Sequence, residues 1–115
     1  MQDTVILVNR LGFGTTGPDH DEFGRQMLDK FFHTIEKQPQ RPRAICFYTE
    51  GVRCVVDGSP VLLGLQLLAG MDVRVVSCAT CLEEYGLRDR VAVGEVGGMD
   101  EIVRLIGAAA KVVTV

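Results

Sequence analysis

Val73-Arg74-Val75-Val76-Ser77-Cys78-Ala79-Thr80-Cys81-Leu82-Glu83-Glu84-Tyr85 is a β-branched apolar run that turns directly into a helix-like stretch. A strand feeding a helix is the repeating unit of parallel α/β sheets, and near-continuous apolarity marks a strand covered on both faces. Two cysteines, Cys78 and Cys81, fall at the corner between the two elements. In open α/β sheets ligands and reactive groups collect at the carboxyl ends of the strands, and a helix start favours an anion such as a thiolate.

Outward from this stretch, comparable runs lie at residues 4–9, 44–49, 91–93 and 111–115, separated by segments of helical spacing. The alternation predicts an α/β fold with a mostly parallel sheet of about five strands. A first helix is expected over residues 21–37, capped by Asp19 or Asp21 after Pro18, with Phe23, Met27, Leu28, Phe31, Phe32 and Ile35 as its buried stripe. Ser59-Pro60 reads as the start of a helix over 61–69, stopped by a left-handed Gly70, with an extra helical turn over 51–56. Thr80 and Glu83 form a capping-box pattern that puts Cys81 in the first turn and leaves Cys78 at the strand end. Gly86 is expected to end that helix, and Gly98 or Asp100 to open a last one over 101–109.

The bulk numbers narrow the class. A chain of 115 residues is a single domain, 1–115, able to bury ~60–70% of its unfolded surface without staples. With 47% hydrophobic and 23% charged residues, disorder is excluded. The longest uncharged apolar stretch, residues 58–71, is shorter than the ~20 residues a bilayer needs, so no membrane association is expected. The first residues carry no basic segment or cleavage pattern, which points to a cytoplasmic location. Four cysteines are then expected to be reduced, and reactive or metal-binding rather than disulfide-bonded. A net charge of −3, scattered basic residues and 6% aromatics argue against a nucleic-acid partner.

Other motifs have simpler readings. Gly12-Phe13-Gly14-Thr15-Thr16-Gly17 matches the dinucleotide fingerprint literally, but Pro18 follows its third glycine and Glu50, the strand-end acid, comes much later than ~20 residues on. A loop over the sheet edge is the simpler reading. A zinc site would need Cys46, Cys54, His20 or His33 beside the first pair, and none forms a second close pair, so neither metal nor cofactor is expected. The CxxC follows the third strand, whereas thioredoxin-like motifs follow an early one. Cys78 and Cys81 also fit the description of two small buried hydrophobes. Arg53 and Glu50, at the end of the second strand, are candidates to line the same crevice.

Together, Glu50-Gly51-Val52, Asp57-Gly58-Ser59-Pro60-Val61-Leu62, Cys78-Ala79-Thr80-Cys81-Leu82-Glu83-Glu84-Tyr85-Gly86-Leu87 and Val93-Gly94-Glu95-Val96 resemble the DsrE/DsrF-like sulfur-relay family. Within it the chain is most similar to the C-terminal domain of YedF-like proteins, which are linked to selenium metabolism. The resemblance implies a flavodoxin-like three-layer sandwich that assembles as a trimer or hexamer. It also implies a cysteine that carries persulfide sulfur between donor and acceptor proteins, TusA-like ones among them; Cys78 matches that thiol and Cys81 the second cysteine of the YedF-like group. Thr80, Arg53 and Glu50 would support the thiolate. YedF-like proteins carry a TusA-like domain ahead of this one, and here the first strand begins at once. Two competing roles stay open at this level: a non-catalytic interaction subunit, and a dithiol redox switch through Cys78 and Cys81.

Overall fold

Extended β-branched runs that have helices on both sides are forced into a central sheet. In the computed structural model, which describes residues 1–115, five strands form it: β1 (Thr4–Val8), β2 (Ala44–Phe47), β3 (Arg74–Cys78), β4 (Glu95–Gly97) and β5 (Lys111–Thr114). Four helices alternate with them: α1 (Asp21–Glu36), α2 (Leu62–Ala69), α3 (Ala79–Glu84) and α4 (Met99–Ala108). Every strand pairing is parallel, in the order β4-β3-β2-β1-β5. The chain therefore steps outward from β1 to β4 and then crosses back to β5. Because such crossovers are right-handed, α1 and α2 cover one face and α4 the other, giving the flavodoxin-like three-layer sandwich.

The three inner strands are buried almost throughout, with Ile6, Ile45, Phe47 and Val76 fully sealed. Phe32 of α1 meets Phe47 edge-on, ring centroids 6.2 Å apart, joining helix layer to sheet. Gly64 lets α2 close on α1, since a Cβ there would lie 3.2 Å from the Cβ of Phe32. No helix is long and apolar enough to cross a membrane.

Several local expectations are corrected. The fourth strand is not at residues 91–93: Val91 makes only an isolated antiparallel bridge to Val56, and β4 begins at Glu95. Gly94 at φ +79° makes the turn, and a Cβ there would collide with the carbonyl oxygen of Val75, so the backbone comes in close against β3. β4 was hidden because it has three residues and only one of them, Val96, is β-branched. In α1 the buried stripe is Gly24, Leu28, Phe32 and Ile35, while Phe23 is 56% exposed; small Gly24 takes the inward position one residue later. No side chain caps α1, because residues Pro18–His20 form a 3-10 turn that leads straight into it. Ser59 donates no full cap to α2 but its Oγ accepts the Val61 N–H at 3.3 Å, and the helix starts one residue later than expected. Gly70 stays right-handed at φ −70°, and the left-handed turn falls instead on Asp72 at φ +66°. Gly86, at φ +66°, does end α3.

Candidate functional site

Three strand ends build the site. After β2, Thr49 opens a 3-10 turn, Thr49–Val55, that must tuck against the end of β1. It can do so only because residue 51 is glycine: a Cβ there would sit on the carbonyl oxygen of Val8. Thr49 itself adopts φ +46°, a conformation costing a β-branched residue about 1–3 kcal/mol. The single proton of its hydroxyl, shared between the carbonyls of Tyr48 (2.8 Å) and Asn9 (3.2 Å), holds the conformation. The result is a backbone N–H aimed out of the turn, and it donates to Sγ of Cys81 at 3.1 Å.

Cys81 stands in the first turn of α3, as the spacing predicts, and Cys78 at the carboxyl end of β3. The expected cap is corrected: Thr80 is exposed and caps nothing, and the capping group is the Cys78 sulfur, which accepts the Cys81 N–H at 3.4 Å. A sulfur replaces the hydroxyl because Cys78, not Thr80, is the last extended residue before the helix (φ −64°, ψ 118°). The two sulfurs are ordered in depth. Cys78 is 2% exposed and belongs to the core, whereas Cys81 is half-buried in front of it.

Burial, and then the neighbouring Cys78 sulfur, push the Cys81 thiol above its ordinary pKa, only partly offset by the Thr49 N–H. At neutral pH Cys81 therefore keeps its proton. Iodoacetamide alkylation of Cys81, followed by peptide mapping against pH, is expected to inflect above the ordinary thiol range. A Cys78→Ala variant should lower that inflection, since one of the two main causes is removed while burial remains. An unchanged inflection would show that the two sulfurs do not interact.

Arg53 and Glu50 lie beside this pair but are not turned on it. Arg53 Nε donates to Glu50 Oε2 at 2.6 Å, and its guanidinium lies 4.7 Å from the centre of the Tyr85 ring. The Arg53 hydrogen bond holds the Glu50 carboxyl below its usual range. The Arg53 charge is matched by Glu50, and the trio clamps the Thr49–Val55 turn to the end of α3. Tyr85 and Thr49 are the residues that the sequence reading did not single out. Tyr85 was detectable, four residues after Cys81 on the same helix face. Thr49 carried no signal, because a β-branched residue is the last one expected at positive φ.

The remaining candidates separate from the pair. Cys46 and Cys54 are fully buried, with burial raising Cys46 to about 11 and Cys54 further. His20 is exposed, and His33 sits on α1 between Asp29 (3.5 Å) and Glu36 (3.2 Å). No three His, Cys, Asp or Glu side chains converge as a metal site would require. Next to Cys78, the Ser77 hydroxyl is fully buried without a hydrogen-bond partner.

A parallel five-stranded sheet with a helix-capping thiol at a strand end and a second thiol in the next helical turn defines a small α/β protein of thiol-bearing type. The DsrE/DsrF-like family model matches residues 15–115, and the chain belongs to that family. Solved structures show the same fold. The ychN protein from E. coli superposes with a TM-score of 0.68 at 19% identity, covering 100% of both chains. MTH1491 from Methanobacterium thermoautotrophicum, a protein of unknown function, gives 0.69 at 19% identity over 97% of each chain. BT1422 from Bacteroides thetaiotaomicron gives 0.63 at 14% identity, covering 98% of this chain and 95% of that one. No curated protein sequence matches significantly.

Proposed function

We propose that the protein is a sulfurtransferase-type carrier that holds sulfane sulfur, or selenium in its place, as a persulfide on Cys78. The observation that carries this reading is the ordered pair: an inner sulfur receiving a backbone N–H at a helix start, and an outer thiol that retains its proton. The Cys78 thiolate attacks the terminal sulfur of a donor persulfide R–S–SH. The donor's S–S bond breaks, Cys78–S–SH forms, and the donor leaves as R–S⁻. An acceptor thiolate reverses the step, taking the terminal sulfur and restoring the Cys78 thiolate. Cys81, standing in front, screens the loaded sulfur; its own attack as thiolate on Cys78–S–SH would release HS⁻ and leave a Cys78–Cys81 disulfide.

The YedF-like resemblance supports TusA-like proteins as donors or acceptors, in the cytoplasm. Assembly as a trimer or hexamer is supported by an apolar surface that α2 leaves open, where Leu63 is 62% exposed and Leu67 and Met71 follow at helical spacing.

Loading the full chain with glutathione persulfide and mapping the product tests the carrier. Trypsin leaves both thiols on one peptide, Val75 to Arg88, so fragment ions that separate Ala79 from Thr80 assign the extra sulfur. One added sulfur on Cys78 is expected. No adduct, or one confined to Cys46 or Cys54, would end the proposal.

A further inference from the structure

The protein has nine arginines, and seven of them already have work to do within the fold. Arg41 donates to main-chain carbonyls, and Arg43, Arg53, Arg74, Arg88, Arg90 and Arg104 each reach a carboxylate. Arg10 and Arg25 have no such partner, and both line the same cleft, about 350 Å³ in volume. Leu11, Thr15, Thr16 and Asp21 are among its other walls.

The position is where the topology leads one to look. The strand order reverses between β1 and β5, and the cleft opens at the carboxyl end of β1, the place where ligands bind in open α/β sheets. The loop forming it is fastened rather than free. Phe13 donates its N–H to the carbonyl of Gly24 at 3.0 Å, and its ring lies 5.0 Å from that of Phe31. This turns the one aromatic of the loop away from the cleft and leaves Leu11 as the only large apolar group in it.

We propose that this cleft binds a small polar molecule through a phosphate-class oxyanion, held by Arg10 and Arg25 with the Thr15 and Thr16 hydroxyls as further donors. Two guanidiniums outweigh the single Asp21 carboxylate, and guanidinium matches the geometry of a tetrahedral oxyanion in bidentate fashion. The volume exceeds that of a bare ion and falls at the lower end of small-ligand sites. With no ring to stack on, a nucleobase is disfavoured. A dinucleotide is disfavoured as well, since Pro18–His20 separates the glycine loop from α1. This site does not depend on the thiols and stands or falls without them.

Titration at constant ionic strength, followed by amide NMR shifts and calorimetry, uses inorganic phosphate in one arm and glycerol 3-phosphate in the other. Saturable shifts of residues 12–16 and 25 are expected, with Arg10→Gln and Arg25→Gln each weakening binding ~10-fold. Arg104→Gln changes the net charge equally at a distant helix and should leave affinity unchanged. Response to phosphate alone assigns a free ion, and stronger response to glycerol 3-phosphate assigns a phosphate ester. The proposal is overturned if neither probe saturates by ~20 mM, if the two cleft variants bind as the parent does, or if Arg104→Gln weakens binding as much as they do. Near-UV circular dichroism confirms that each variant is folded.

Discussion

Cys78→Ala is expected to lower sulfur transfer from glutathione persulfide by at least ~100-fold, because no other thiol combines a strand-end position with a main-chain N–H donor. Removing a small buried group should cost only about 1 kcal/mol, so the variant remains folded and the loss is chemical. Cys81→Ala is the informative counterpart. It strips away the outer sulfur that covers Cys78, and the adduct on Cys78 should form faster than in the parent. A dithiol switch requires the opposite, since it needs both sulfurs. An interaction subunit predicts that neither change alters partner function, which pull-down of the assembled protein and sulfur-transfer assays would reveal together. Transfer persisting in Cys78→Ala at the parent rate would remove Cys78 from the mechanism.

Gly51→Ala is expected to destabilise the fold by about 3 kcal/mol, a large part of the stability of a domain this size. The added Cβ has nowhere to go, because it would meet backbone, the carbonyl of Val8, rather than the tip of a flexible side chain. Relief demands that the Thr49–Val55 turn move away from β1, breaking the Thr49 hydroxyl bond to Asn9 and carrying the Thr49 N–H off Cys81. Urea denaturation should record the loss. Stability within ~0.5 kcal/mol of the parent would show that the turn adapts freely.

How far the sequence carries one through this molecule depends on residue and scale. Apolar runs located β1, β2 and β3, because burial on both faces leaves a compositional trace, while β5, an exposed edge strand, was located by its β-branched residues alone. β4 left none: it is short, at the sheet edge, and owes its place to Gly94. The helices were legible in extent but less so in rotation, as Phe23 shows, because a stripe of apolar residues does not say which member a small Gly24 will displace. At the site, chain spacing placed Cys78 and Cys81 correctly on strand end and first turn. Depth was illegible, since which sulfur faces solvent is decided by the Thr49–Val55 turn, whose Thr49 lies 32 residues before Cys81 with α2 and β3 between them. The partners of Arg53 were likewise tertiary facts: Glu50 was near in sequence, and Tyr85 lay on another helix.

The left-handed Thr49 has a consequence for anyone engineering this chain. Glycine at that position would relieve the backbone and raise the melting temperature, and a stability screen would select it. The same change would delete the hydroxyl that ties the turn to Asn9 and free the N–H that steadies Cys81. Thermostability and a settled thiol pair are thus opposed at one residue, and the natural sequence has kept the less comfortable choice.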